Sequence, residues 1–516
     1  MTLKRFGLIV VTIVAIASYA WSLFDSFQKP QFQSRLELYQ TDIVLQAASW
    51  QPDAKNDENF SALRDAIVGE KPLENATKQY EEVRKSAQIN LEKVKKQLAQ
   101  LPDLTQITTT AIPNPQQLQL QQSLDELEKL IAELDLQLGV LEAQQGQVET
   151  ALKTWTQLQQ RSKINSEFAK AAAALTGLWS DPARILPNAQ QLIQKNLDGW
   201  FRFTSLAQLY KLQQRQEALT NLQVTELQVA ENALVKLGLI ATIPALTGFV
   251  GLALLIFLLG QRLVKGKASL LAQNAEQSWS TPWSGETILQ VFVVGFFLTG
   301  KIVGEFLVPV LFLILPIGRP VANVRIQAVF ILISYLLVAS GAIGVLYLSI
   351  KRYFPLPPDW FKFRLAGKWF LWGLGGYCVA LPIVIVVSLI NQQLWQGQGG
   401  SNPLLQLALE SQDSVALSIF FFTAAIAAPL FEEALFRGFI LPSLTRYLPV
   451  WGAILASALL FAVAHLSLSE ILPLFALGTV LGFVYTRSRN LLAPMLLHSL
   501  WNSGTLLSLF VLGSYK

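Results

Sequence analysis

Apolar runs of about twenty residues recur along this chain, and a helix of that length, rising 1.5 Å per residue, is what crosses a hydrocarbon core of about 30 Å. The runs are Gly7 to Phe24, Leu237 to Gln261, Thr287 to Gly318, Ile326 to Ile350, Trp369 to Leu394, Val415 to Leu441, Tyr447 to Ser469, Ile471 to Thr486 and Asn490 to Tyr515. Together they predict an all-α fold, a polytopic transmembrane helical bundle of about nine spans. Composition agrees: 52% of the 516 residues are apolar and 15% charged, where an ordinary soluble chain carries about a quarter charged residues. The third run is interrupted by Lys301 and Glu305, four residues apart and so able to pair on one helix face.

The first run follows Lys4 and Arg5 and reads as an uncleaved anchor over residues 1–24, the alternative being a signal peptide cut near Ala20. From Asp25 to Lys236 the chain is too polar to span and forms a separate water-exposed helical domain. Its clearest pattern is a 4,3 spacing through Leu120, Leu124, Leu127, Ile131, Leu134, Leu138, Leu141, Gln145, Val148, Leu152 and Trp155, broken only by Gln145. That repeat predicts one long coiled-coil-like helix over 120–155 with an apolar seam for a partner helix. The partner is either internal, from stretches near Thr77 to Leu101 or Asn188 to Val235 beyond breaks at Pro102 and Pro113, or another protein. As a hairpin the domain is a spacer; as a docking arm it receives a partner or substrate.

Residues 237–516 make up the rest of the bundle. Lys and Arg concentrate in alternate loops: Arg262, Lys265 and Lys267; Lys351, Arg352, Lys362, Arg364 and Lys368; Arg446; Arg487 and Arg489. With the mildly basic loop at Arg319 and Arg325 as the exception, that pattern puts the N-terminus in the cytoplasm and the helical domain outside it, in a bacterial inner or thylakoid-type membrane. The net charge of +5 is thus accounted for by topology, and nucleic-acid binding is not expected. Cys378 is the single cysteine, so it supplies neither an internal disulfide nor a metal cluster.

The chain has two histidines, His465 and His498, and both fall in apolar runs, where an ionisable side chain is costly and marks a cavity or a partner. Late in the sixth run stand two adjacent acids, Glu432 and Glu433. On a helix Glu433 and Arg437 share a face at i,i+4 and can pair, which leaves Glu432 about 100° round the helix to point elsewhere. A turn near Leu448 and Pro449 would bring His465 back to the depth of Glu432, with Phe461 walling the same face; His498 and Asn502 project from one side of the last run. A carboxylate beside an imidazole in a dry pocket suits general-base activation of water, and a second His with an Asn can donate to an oxyanion. Alternatively Glu432, His465 and His498 would ligate a divalent metal such as zinc whose bound water attacks.

Glu-Glu-x-x-x-Arg at 432 to 437, Phe-x-x-x-His at 461 to 465 and His-x-x-x-Asn at 498 to 502, in that order, resemble the three motifs of the CAAX protease and bacteriocin-processing (CPBP, also ABI) family, over about residues 415–513. The resemblance implies an intramembrane endopeptidase acting on a membrane-associated protein or peptide. Glu432 and His465 would activate water, His498 and Asn502 would form the oxyanion site, and Glu433, Arg437 and Phe461 would support them. It leaves open whether the mechanism is glutamate-based or metal-dependent. The long helical domain lies outside the common family pattern, and no prenylated substrate is implied. Two other classes compete: a non-catalytic membrane scaffold or immunity-type protein, and a proton-coupled transporter, for which inverted repeats are not evident.

Overall fold

The computed structural model describes residues 3–27, 33–50, 64, 67–100, 115–161, 166–314, 323–395, 399–400, 403–410 and 413–513, which form helices, turns and loops with no strand among them. The breaks expected at Pro102 and Pro113 and the basic residue Arg319 lie outside these residues. The chain divides into two compact units, one of residues 33–241 and the other of residues 1–32 with 242–514.

After α1 (Leu3–Phe27), which belongs to the second unit, the helical unit follows. It comprises α2 (Gln33–Ala48), α3 (Pro72–Gln100), α4 (Pro115–Gln144), α5 (Val148–Gln160), α6 (Ser166–Trp179), α7 (Ala189–Asn196), α8 (Gly199–Leu212) and the first half of α9 (Gln216–Lys265). The long helix expected over 120–155 is in fact two. α4 stops at Gln144, and Gly146 turns the chain with φ +80°, a conformation that costs glycine nothing and other residues much. The seam residues beyond the turn fold back on those before it: the Trp155 indole donates to the Leu136 carbonyl at 3.1 Å. Leu134, Leu138, Leu141, Trp155, Leu158, Leu175 and Phe201 are buried in one core. The apolar seam is therefore covered from within this unit. Asp135, also buried, is held by Arg84 and by Arg161 at 3.1 Å.

That fold-back depends on Gly139, where an added Cβ would lie 2.2 Å from Trp155 Nε1. Gly139→Ala is therefore expected to destabilise the helical unit by about 1–3 kcal/mol, the usual cost of overpacking, despite alanine's better helix propensity. Thermal unfolding of the purified chain followed by tryptophan fluorescence measures it, and an unchanged or raised midpoint for this unit refutes the close packing.

The membrane unit contains, besides α1 and the second half of α9, α10 (Gly285–Leu311), α11 (Val324–Ile350), α12 (Trp369–Trp395), α13 (Pro403–Glu410), α14 (Ser414–Leu444), α15 (Val450–Val463), α16 (Ile471–Ser488) and α17 (Leu492–Gly513). Among the described residues eight helices are long and apolar enough to cross a membrane, so the chain is an all-α polytopic membrane protein. The run expected to span from Tyr447 to Ser469 is the exception: α15 has 14 residues and ends before His465, because the chain turns there through Leu466 at φ 57°. Lys301 and Glu305 pair on α10 as expected, at 3.7 Å.

α14 carries the chemistry and is irregular for a sequence reason. Pro429 and Pro442 have no N–H and crowd the carbonyl four residues back, and wide π-turns run over Phe422–Ala427 and Phe436–Ile440, just ahead of each. Its start is firm: Asp413 accepts from the Val415 and Ala416 N–H groups and from Arg325 Nε at 2.7 Å. The Ala416 bond, followed by the one from Arg325, holds the Asp413 carboxyl below the usual range. Its far half is locked in an aromatic core of Trp283, Phe436, Phe439, Phe461 and Tyr485.

Candidate active site

Glu433 and Arg437 form the ion pair expected from their spacing, at 2.9 Å, and both are fully buried. Arg437 continues across to α16, donating from Nη2 to the Gly478 carbonyl at 3.1 Å, with its guanidinium carbon 4.4 Å from the centre of the Phe461 ring. Gly478 has to be small, since an added Cβ would come within 3.1 Å of Ala458 and 3.2 Å of Phe461. One arginine thus links α14, α15 and α16 through its carboxylate partner, an aromatic face and a backbone carbonyl.

From α17, His498 approaches the same carboxylate, with Nδ1 2.8 Å from Glu433 Oε1. A carboxylate oxygen accepts, so Nδ1 carries the proton and Nε2 faces the other way. There it lies 4.0 Å from Glu432 Oε2. Glu432 is the less buried of the two acids, its side chain 15% exposed. Its Oε1 accepts from the Tyr335 hydroxyl at 3.1 Å, while Oε2 is buried and has no hydrogen-bond partner among the described residues. Each acid is held at Oε1 and keeps an Oε2 without a partner among the described residues; they differ in that Glu433 is fully buried against Arg437 and His498, while Glu432 is partly exposed and has one neutral donor.

His465 is fixed by the turn that ends α15. It lies in the turn after α15, donates from Nδ1 to the Phe461 carbonyl at 2.8 Å, and packs edge-on to the Phe461 ring at 4.8 Å. Phe461 also meets the His498 ring, at 5.7 Å, so this phenyl group contacts both imidazoles. The equal-depth placement of His465 and Glu432 rested on two regular helices; α14 contains π-turns and α15 stops short, and among the described residues no direct hydrogen bond or ion pair joins the two side chains. Asn502 spends one amide hydrogen on the Ala424 carbonyl at 2.7 Å, inside the first π-turn of α14. The structure therefore assembles Glu432, Glu433, Arg437, Phe461 and His498, brings His465 in through Phe461, and anchors Asn502 to the α14 backbone.

Tyr335 was missed in the sequence. It is 97 residues from Glu432 on α11, and a tyrosine in an apolar run ordinarily reads as packing. Among the described residues no group of three His, Cys, Asp or Glu side chains is placed to hold a metal ion, and the His498 nitrogen left open by Glu433 is Nε2, which faces Glu432.

Comparison with known proteins agrees with the motif resemblance. Residues 414–504 match the family described as type II CAAX prenyl endopeptidase, Rce1-like. The membrane-embedded CAAX protease MroQ of Staphylococcus aureus is 27% identical over 181 residues, which cover 34% of this chain and 71% of that protein. A Bacillus subtilis protein described as a membrane peptidase, YdiL, is 27% identical over 133 residues, 26% of this chain and 53% of that protein. No solved structure matches. The family match covers the helices that carry Glu432 through Asn502 and leaves out Tyr335 and the helical unit.

Proposed function

We propose, for a chain whose residues 414–504 are of the CAAX-protease (CPBP) family, an intramembrane endopeptidase in which Glu432 activates water against a peptide bond of a membrane-associated protein or peptide. The observation that carries this reading is the asymmetry of the two acids. Glu433 meets the Arg437 cation and the His498 N–H at its Oε1 and is fully buried, whereas Glu432 is partly exposed, has only the neutral Tyr335 donor, and holds its unpartnered Oε2 4.0 Å from an imidazole nitrogen. A gap of that length is too long for a direct hydrogen bond and suits an interposed water.

In the proposed reaction Glu432 Oε2 takes a proton from the water as its oxygen adds to the scissile carbonyl carbon. The resulting oxyanion receives the second amide hydrogen of Asn502, and His498 Nε2 as well when both nitrogens of that ring are protonated. Collapse breaks the C–N bond, and the proton held by Glu432 goes to the leaving amine. His465, with Nδ1 committed to Phe461, offers Nε2 to receive or relay that proton. In this reading the N-terminus is cytoplasmic, in an inner or thylakoid-type membrane, and the helical unit between α1 and α9 presents or restricts substrates.

The test is to compare new protein N-termini in membranes containing the wild type and Glu432→Gln at equal abundance. A set of termini present only with the wild type is expected; identical sets overturn the proposal. Tyr335 is a positioning residue for Glu432. Tyr335→Phe is expected to lower kcat about tenfold, the equivalent of one hydrogen bond to a charged group, with KM and folding preserved. An unchanged kcat removes it from the site.

A further inference from the structure

At the other end of α16 stand two arginines that the proposed chemistry does not use. Arg487 is 2% exposed and Arg489 9%, and among the described residues neither has a carboxylate in ion-pair range. Arg487 donates from Nε to the Leu271 carbonyl at 2.8 Å and from Nη1 to Thr486 Oγ1 at 3.1 Å, which leaves Nη2 uncommitted. Arg489 donates from Nη2 to the Gln277 carbonyl and lies over the Trp279 ring at 3.5 Å. Its Nε and Nη1 are buried without an acceptor, and so is the nearby Tyr485 hydroxyl.

Two desolvated guanidinium groups so close together are expensive without a counter-charge. Arg262 on α9 adds a third positive charge felt by Arg487. The acid whose field reaches Arg489 is Asp359, and it is already paired with Lys362 at 3.3 Å. Burial pushes the Arg489 guanidinium down from its ordinary pKa, the direction expected of a cation short of compensation. The strap 359–364 is tied onto this end of the bundle by the Leu491 N–H to the Lys362 carbonyl and by Asn490 to the Arg364 carbonyl, so basic residues from three distant loops converge there.

The position indicates what supplies the charge. The membrane-crossing stretch of α16 ends at Ser488, so the cluster falls at the headgroup level, beside the aromatic rings of Trp279 and Trp451. Leu263 and Val264, next to Arg262, are each 86% exposed and offer an apolar surface for acyl chains. We infer that Arg487, Arg489 and Arg262 form a binding site for the phosphate of an anionic phospholipid headgroup. A zwitterionic lipid carries its own cation beside the phosphate and neutralises nothing; a net anion does.

The full chain in nanodiscs of phosphatidylcholine alone, and of phosphatidylcholine with a quarter phosphatidylglycerol, tests this. Phosphatidylglycerol is expected to raise the unfolding midpoint by about 5 °C or more. Native mass spectrometry should find it retained by the wild type and lost from Arg489→Gln. Arg262 is exposed, so Arg262→Gln folds as the wild type does and should show a reduced shift; it decides the matter with the wild type if Arg489→Gln fails to fold. Equal midpoints in the two membranes with no retained lipid overturn the site. A full shift produced by inorganic phosphate in phosphatidylcholine overturns the lipid as its occupant.

Discussion

Glu432→Gln is expected to cut the rate of peptide-bond cleavage by about 10²- to 10⁴-fold, the range that a positioned general base supplies, while the protein folds and inserts normally. Both halves follow from how the side chain is held. Its one hydrogen bond comes from Tyr335 to Oε1, and a glutamine amide oxygen accepts that bond equally well. No cation is stranded by the change, because Arg437 is paired with Glu433. What disappears is the proton-accepting oxygen beside His498. Single-turnover cleavage of a captured substrate, with size-exclusion and thermal profiles alongside, measures the two halves. Retained cleavage sinks Glu432 as the base; lost cleavage with lost folding would assign it a structural role instead.

The second large effect is on stability. Arg437→Ala leaves the Glu433 carboxylate fully buried without its cation and releases the Gly478 carbonyl from its donor. Removing one partner of a buried pair costs about 3–5 kcal/mol, enough to unfold many membrane or soluble domains. Replacing both partners by apolar residues, Glu433→Leu with Arg437→Met, is expected to recover most of that stability and none of the activity, because His498 then has nothing to fix its Nδ1 proton. Chemical denaturation in mixed micelles compares the three proteins. If the double variant is no more stable than Arg437→Ala, the pair is not the source of the loss; if it cleaves, the Glu433 bond to His498 is dispensable.

What the sequence revealed about this site divides by range. The pairing of Glu433 with Arg437, and the freedom of Glu432 beside it, are properties of one helix turn and follow from residue spacing. The partnership of His498 with both acids depends on how α17 sits against α14, and spacing within either helix does not define that register. The expectation that His465 reaches the depth of Glu432 came from counting residues to the turn, and such a count takes no account of the two prolines that widen α14 or of the early end of α15. Tyr335 had no local signal, since its significance lies wholly in a contact made across 97 residues. In the helical unit the error had a visible cue. The heptad pattern runs straight through Gln145, but Gly146 beside it is what lets the chain reverse and close the seam on itself.

The shortness of α15 bears on where hydrolysis can happen. Fourteen residues reach about 21 Å, some two thirds of a hydrocarbon core. The helix is therefore too short to cross the core by itself, and the turn holding His465 follows directly at its end. A protein adapts to such a deficit by thinning the lipid around it or by drawing polar groups inward. Either response shortens the distance that solvent must travel to an imidazole inside the bilayer, which is the supply of water that the proposed hydrolysis requires.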